Sequence, residues 1–322
     1  MTETRTTTVL RTKTEYVLFC RSATPFLDSG GLDEEAFRDH LRRMISAGLG
    51  IYVGAGGNGE GYTLNDGELR ALFEIAVDEC SGQVPVGANP PEQYLAQAFV
   101  DLADIAVRAG VDLVNVFGPA PFHNYRPTPR EYLHYLDTVL ERIQHPVALA
   151  PNPNIGMGAA PEVIAELCRR HEQIHAINLS GVSDDSYMVR LQDLLSRPVG
   201  IYVPVAGSMN TLAMGAAGLL NNRGQANIIP QTFRSYLNAV SLGDRDNAGQ
   251  VYAQLCRFDH FLESWPGNPR WIKMAMRALN LPGGRGGVRE PYLMPAADDV
   301  QRFRDGLLAL GIPELDELAR QT

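Results

Sequence analysis

The sequence predicts an α/β fold in which eight parallel strands close into a (β/α)8 TIM barrel, followed by an α-helical C-terminal extension. Short apolar segments rich in Val, Ile and Ala alternate with amphipathic ones. The apolar segments lack strict polar alternation, which is typical of parallel strands buried on both faces. Eight strand–helix units in roughly 225 residues give about 28 residues each, which fits a barrel, whereas an open doubly wound sheet more often has about five or six strands.

The predicted elements follow one another from residue 16 onward. The strands are the apolar segments 16–26, 50–56, 84–89, 112–118, 146–152, 174–181, 199–206 and 217–223. Further helical patterns, with no strand between them, lie at about 244–265, 268–280 and 296–310. The predicted organisation is therefore a polar N-terminal tail (1–15), the barrel (16–242) and a C-terminal helical region (243–322).

Helical spacing and capping residues support the helices between the strands. Phe37, Leu41 and Met44 recur at helical spacing in segment 33–47. Asp66 is a candidate N-cap for the next helix, and Pro129 fits the first turn of a later one.

The composition excludes several kinds of partner. The 322 residues carry a net charge of −9, with 20% charged residues and no Lys/Arg cluster, so neither nucleic acid nor a membrane surface is an expected partner. No stretch of about 18 apolar residues is present, and the Thr-rich tail lacks the apolar core of a secretory signal. Four well-separated cysteines without a C-x-x-C pair are typical of a cytoplasmic protein.

A glycine-rich segment, 54–59 (GAGGNG), follows the second predicted strand. It matches the G-x-G-x-x-G pattern, but no helix begins at its last glycine and the next strand ends without an acidic residue. A dinucleotide is therefore not expected, and no other cofactor is predicted. In a barrel this loop lies at the carboxyl ends of the strands. Its N–H groups form either an anion-binding nest or only a tight turn, and the sequence does not decide between them.

Several motifs resemble those of the dihydrodipicolinate synthase / N-acetylneuraminate lyase family. They are Ala23-Thr24-Pro25-Phe26, Gly56-Gly57-Asn58-Gly59-Glu60 with Thr63-Leu64, Ala120-Pro121-Phe122-His123-Asn124, Asn227-Ile228-Ile229-Pro230, and Asn268-Pro269-Arg270 with Lys273. The resemblance covers almost the whole chain. It implies a barrel enzyme, usually a homotetramer, that binds a 2-oxo acid and acts as an aldolase, lyase or dehydratase.

The residues that carry the family's chemistry are different in this sequence. The resemblance implies a strand 6 lysine that forms an iminium with the substrate ketone, a strand 5 tyrosine and an arginine in the loop after it. The chain has two lysines, Lys13 and Lys273, and its strand 6 motif has Asn178, with the register uncertain by one residue. Ala150 matches the tyrosine position, and the arginine position falls near Ile155.

Polar residues at the predicted strand ends form the candidate site. The candidate catalytic residues are His123, Asn178 and Glu60, and the candidate substrate-binding residues are Gly57, Asn58, Gly59, Asn152, Asn154, Ser180 and Ser208. His123 is a candidate general acid/base because the usual pKa of histidine lies near 6.5, although a surface histidine fits equally well. No carboxylate–histidine cluster is present at these ends, so no metal is expected.

Two of these residues allow a structural role as well as a functional one. Asn178 either polarises a substrate carbonyl or is a satisfied buried amide. Glu60 is either a base or an anchor for the glycine loop through backbone N–H groups.

Two classes of function fit the sequence. The leading hypothesis is a lyase, of aldolase or hydro-lyase type, that acts on a small 2-oxo acid or related carboxylated substrate without an iminium. The alternative is a non-catalytic barrel that binds a metabolite or a partner protein. The resemblance implies a homo-oligomer, a tetramer or dimer, in both cases.

Overall fold

A computed structural model describes residues 16–120, 123, 125–152, 158–179, 181 and 185–321. Its eight strands form one closed parallel barrel in the order of the sequence, which confirms the predicted fold class. The strands are β1 Val17–Arg21, β2 Gly50–Val53, β3 Val86–Ala88, β4 Leu113–Phe117, β5 Val147–Ala150, β6 Ile174–Asn178, β7 Gly200–Val203 and β8 Gly218–Asn221. Each lies inside one of the predicted apolar segments.

The α-helices pack around the barrel and continue beyond it. They are α1 Glu34–Ser46, α2 Asp66–Cys80, α3 Ala96–Ala109, α4 Pro129–Leu140, α5 Pro161–Arg170, α6 Asp185–Leu194, α7 Ser208–Ala213, α8 Pro230–Ser241, α9 Arg245–Leu262, α10 Arg270–Ala278, α11 Ala297–Leu308 and α12 Pro313–Arg320. Asn65, not Asp66, is the N-cap of α2, because its side chain accepts from the Glu68 N–H while the Glu68 carboxylate accepts from the Asn65 N–H.

The last helix, α12, was not predicted because eight residues are too few for a clear helical pattern. A tertiary contact supports it: the Glu314 carboxylate accepts hydrogen bonds from the backbone N–H groups of Gln231 (3.1 Å) and Thr232 (2.7 Å). These N–H groups lie in the first turn of α8, where an anionic side chain is favoured.

An apolar layer of side chains fills the barrel interior on the amino-terminal side of the strands' carboxyl ends. Its buried members come from seven strands: Phe19, Tyr52, Leu113, Ala148, Ala176, Tyr202 and Leu220. The ring of Tyr52 occupies the space beside Gly87 on β3, where a Cβ atom would collide with it. Because side chains on a strand alternate between its two faces, the residues two positions later also point toward the barrel axis.

A buried polar network behind β1 fixes the end of that strand. Asn227 donates its Nδ2 to the backbone oxygen of Arg21 (3.0 Å), and its Oδ1 accepts from the N–H of Ala23 (2.9 Å). The same Oδ1 lies 2.9 Å from His40 Nε2 on α1, so the ring donates this bond. Burial lowers the pKa of His40 to about 3, with Arg43 adding to the shift and the Asn227 bond opposing it. His40 is therefore neutral near pH 7.

We expect His40 to make the stability of the protein depend on pH. Its folded-state pKa lies below the unfolded value, so its contribution is fully present above about pH 6.5 and is lost as the pH falls from there toward about 3. The loss amounts to roughly 1.4 kcal/mol for each pH unit in that window. Urea unfolding of the wild type and His40→Gln, compared from about pH 7 down to pH 4, should show a flatter dependence in the variant. An equal slope in both proteins would contradict this role, and His134→Gln, at an exposed site on α4, is the control.

Candidate functional site

A polar layer lies above the apolar one, at the carboxyl ends of the strands. Several of its members stand two positions after a residue of the apolar layer: Arg21 on β1, Asn115 on β4, Asn178 on β6 and Asn222 after β8. The carboxyl ends of barrel strands are where such folds place their active sites. The barrel mouth is therefore the candidate site.

Asn178, the last residue of β6, is fully buried in this layer. Its Nδ2 donates to the Tyr52 hydroxyl (2.9 Å) and to Asn115 Oδ1 (2.7 Å). Burial raises the pKa of Tyr52 although the Asn178 bond opposes the shift, so the hydroxyl is neutral. Among the described residues, Asn178 Oδ1 and Asn115 Nδ2 have no hydrogen-bond partner. Exchanging O and N in both amides would reverse the bond between them and still leave one polar atom of each unsatisfied.

Arg21 places a cation at the mouth, with only 7% of its surface exposed. Its Nε donates to Asn89 Oδ1 (3.0 Å) and its Nη1 to Asn222 Oδ1, and the guanidinium lies 5.6 Å from the centroid of the Phe117 ring. Burial lowers the pKa of Arg21 to about 10, against the opposing effect of Tyr52 and Glu92, so it remains charged near pH 7.

Glu92, in the segment after β3, is a second ionisable group that the sequence analysis did not identify. Its side chain is buried, and its Oε2 accepts a hydrogen bond from the Tyr62 hydroxyl. Burial raises the pKa of Glu92, while Arg21 lowers it. A carboxyl group whose pKa is shifted toward neutrality is suited to proton transfer.

The glycine loop is attached to the ends of β1 and β8. Asn58 donates its Nδ2 to the backbone oxygens of Arg21 (3.2 Å) and Asn222 (3.3 Å), and its Oδ1 accepts from Asn268. The Gly59 N–H donates to Ala55 within the loop (3.0 Å). A Cβ atom at position 59 would lie 3.0 Å from the Ser22 oxygen, so the loop packs tightly here, whereas Gly57 faces open space.

Glu60 lies beneath this loop and faces away from the barrel axis toward the C-terminal region. Its Oε2 accepts from the backbone N–H of Arg289 (2.8 Å), and its Oε1 lies 3.5 Å from Lys273 Nζ. Lys273 also donates to the oxygens of Thr24 (2.6 Å) and Gly287 (2.8 Å). Burial raises the pKa of Glu60 and lowers that of Lys273 to about 8. This buried pair joins the glycine loop, the segment after β1 and the C-terminal region.

The other candidate residues have varied positions. His123 is exposed in the loop after β4, with a left-handed φ of 46°. Asn152 is buried two residues after β5. Ser208 hydrogen-bonds the Tyr236 hydroxyl of α8 (2.8 Å), so its side chain faces the outer helices. Asn154 and Ser180 lie outside the described residues. Arg21 was missed because it interrupts an apolar segment, although its period-two spacing from Phe19 was a usable signal.

Comparison with known proteins identifies the family. The model of the dihydrodipicolinate synthetase family matches residues 17–309. The chain belongs to this family. It is 27% identical over 296 residues to the 4-hydroxy-tetrahydrodipicolinate synthase of Methanopyrus kandleri, covering 90% of this chain and 94% of that one. It is 28% identical over 304 residues to an uncharacterized DapA-like lyase of Rhizobium meliloti, covering 93% and 97%.

Solved structures of dihydrodipicolinate synthases share the fold. The enzyme DapA-2 of Bacillus anthracis superposes with a TM-score of 0.82 at 23% identity, over 92% of this chain and 98% of that one. The 4-hydroxy-tetrahydrodipicolinate synthase of Methylacidiphilum fumariolicum gives a TM-score of 0.82 at 19% identity, over 96% and 99%. In this member of the dihydrodipicolinate synthetase family, the described residues hold no cluster of three metal-binding side chains, and none of the described helices could span a membrane.

We expect the Glu60–Lys273 pair to be important for stability. Lys273→Met leaves a buried carboxylate without its cation and should cost roughly 3 kcal/mol or more. The double variant Lys273→Met/Glu60→Gln should recover part of this loss, because it no longer buries an uncompensated charge. Urea unfolding measures both effects.

Arg302→Met, which breaks an exposed ion pair with Asp299, is the control and should change stability far less. If the double variant loses as much free energy of unfolding as the two single variants together, Glu60 and Lys273 do not interact.

Proposed function

We propose that this chain is a lyase, of aldolase or hydro-lyase type, that acts on a small 2-oxo acid or related carboxylated substrate without forming a lysine iminium. The observation that supports the proposal is the buried amide cluster at the end of β6, where Asn178 bonds Tyr52 and Asn115. The family resemblance aligns the iminium-forming lysine with Asn178, and an amide does not condense with a ketone.

In the proposed reaction the mouth stabilises negative charge on the substrate oxygen. An enolate forms when a proton or a carbon substituent leaves the carbon next to a carbonyl, and the charge then moves to the carbonyl oxygen. Asn115 Nδ2 has no partner among the described residues, and the Tyr52 hydroxyl accepts from Asn178 and keeps its own proton to donate. Asn178 holds both groups in place, and such fixed, desolvated donors stabilise negative charge more strongly than water does. We assign the proton transfer to His123, whose exposed side chain lies on the loop after β4 and can exchange protons with solvent.

The alternative is a barrel that binds a small metabolite or a partner protein without catalysis. It is favoured by Ala150, which places a methyl group at the end of β5 where the family resemblance expects a tyrosine. For either function we propose a cytoplasmic homo-oligomer, a tetramer or dimer, on the basis of the resemblance. Light scattering coupled to gel filtration tests the oligomer.

Trapping with borohydride tests whether the iminium is absent. Wild-type protein incubated with pyruvate and borohydride should gain no mass, because the amine of Lys273 is fully buried among Thr24, Gly287 and Glu60. Asn178→Lys should gain a pyruvate adduct, since a desolvated amine at this position would have a lowered pKa and be nucleophilic.

Leu179→Lys is the matched control for this experiment. Leu179 packs in the outer core between strands and helices, so a lysine there points away from the barrel axis and should stay unreactive. An adduct on Lys273 of the wild type would refute the proposed mechanism. An adduct on the lysine of Leu179→Lys would show that the family's lysine position corresponds to residue 179 and not to residue 178.

Substrate screening tests the catalytic proposal. Aldol cleavage and dehydration of 2-oxo acids should reveal a turnover that Asn178→Ala and His123→Ala each lower by about a hundredfold, the usual scale for one oxyanion donor or one acid/base group. His134→Ala, at an exposed site on α4, should leave the rate unchanged. Turnover that persists in both variants would remove these two assignments, and no turnover across the screen would favour the binding barrel.

A further inference from the structure

The geometry points to Arg21 as the residue that binds the carboxylate of the ligand, with the amide cluster beside it binding an oxygen on the neighbouring carbon. The ligand class is therefore a 2-oxo or 2-hydroxy carboxylic acid. The inference rests on the proposed function only in taking the barrel mouth as the ligand site. Binding through Arg21 holds whether or not the ligand is turned over.

The guanidinium of Arg21 is held in a fixed position inside the barrel. Arg21 and Tyr52 are register partners on neighbouring strands. Its Nε and Nη1 donate to the side-chain amides of Asn89 and Asn222, and its plane lies near the Phe117 ring. An oriented guanidinium that has lost most of its hydration binds a carboxylate through charge-assisted hydrogen bonds at little entropic cost.

The backbone of Arg21 is held as firmly as its side chain. Asn58 and Asn227 both donate to its carbonyl oxygen, at 3.2 Å and 3.0 Å. These two amides come from the glycine loop and from the segment after β8. Parts of the chain far apart in sequence therefore cooperate to hold this one residue, which is what a binding group requires.

The amide cluster supplies a second, independent indication of a ligand. Asn115 and Asn178 are fully buried, yet within the described part of the chain Asn178 Oδ1 and Asn115 Nδ2 lack partners. Leaving a buried polar atom unsatisfied costs about 1–3 kcal/mol. Asn115 lies two residues before Phe117 on the same face of β4, and the Phe117 ring contacts the guanidinium. Asn178 hydrogen-bonds Tyr52, which is the register partner of Arg21. The cluster therefore lies in the layer next to the guanidinium.

The glycine loop is a weaker candidate for the carboxylate. The N–H of Gly59 already donates to Ala55, and the Asn58 side chain is engaged with the backbone of Arg21 and Asn222. These contacts make the loop a support for Arg21, and the N–H groups of Gly57 and Asn58 offer only partial charges, whereas the guanidinium of Arg21 carries a full one. We therefore place the carboxylate at Arg21 in preference to the loop.

Calorimetric titration with acid and amide pairs tests the inference. The probes are pyruvate with pyruvamide and lactate with lactamide, since each pair differs in charge but hardly in shape. The wild type should prefer the acids. Arg21→Gln should bind the acids about tenfold or more weakly, the scale of a lost charge-assisted contact, and the amides as before. Arg197→Gln is the matched control, because Arg197 donates to the backbone oxygens of Cys168, His171 and Ile174, before and at the amino end of β6 and away from the barrel mouth.

The change in the acid-to-amide ratio separates binding from damage to the fold. The inference would be overturned by any of three results. Arg21→Gln loses affinity for acids and amides equally, Arg21→Gln keeps the wild-type preference for acids, or the wild type binds no acid. If Arg21→Gln does not fold, Arg21→Lys decides, because it keeps the charge but loses the paired donors and should lower the ratio to a smaller extent.

The same variants distinguish this inference from the proposed function. If acid binding depends on Arg21 but the substrate screen finds no turnover, Arg21 is supported as the carboxylate-binding residue and the proposed lyase activity is rejected. If Arg21→Gln leaves the turnover unchanged, the proposed lyase activity is supported and the carboxylate-binding role of Arg21 is rejected.

Discussion

Closure of the eight strands into a barrel is the constraint on which the whole site depends. Closure fixes the register between neighbouring strands and sends every second side chain toward the axis. It pairs Arg21 with Tyr52, and it brings Asn115 and Asn178 into contact although β5 lies between their strands. A slip of one residue in β6 would turn Asn178 outward and Leu179 inward, burying a polar side chain in the apolar outer core, which is why the register is well determined.

The sequence predicted the barrel well and the site only in part. Buried parallel strands have a strong local pattern, so all eight were found, with their ends a few residues too long because apolar residues continue into the loops. Contacts across the mouth have no local pattern. Asn58 and Asn268 are 210 residues apart and meet only because the C-terminal region packs against the glycine loop. Arg21 and Glu92 acquire their importance from burial, which a single polar residue near an apolar segment does not reveal.

The buried charges of Glu60 and Lys273 and the buried charge of Arg21 have separate roles. Glu60 and Lys273 are fully buried and bind each other and nearby backbone groups, so their charges hold the glycine loop and the C-terminal region together. At the mouth, by contrast, the fixed charge is the guanidinium of Arg21, which donates to the amides of Asn89 and Asn222 and interacts electrostatically with Glu92. The one lysine that the structure describes thus supports the scaffold.

A neutral amide and a guanidinium differ from an amine in what they can do to a ketone. Neither forms a carbon–nitrogen double bond with it, so neither provides a covalent electron sink. Both stabilise negative charge on oxygen, and a preorganised donor in a desolvated site contributes about 3–4 kcal/mol to such a transition state. That contribution is sufficient only for a substrate whose reacting bond already lies next to a carbonyl or carboxylate. A 2-oxo acid meets this condition, since in the proposed binding mode its carboxylate contacts Arg21 and its adjacent oxygen accepts from Asn115 Nδ2, the donor left unsatisfied.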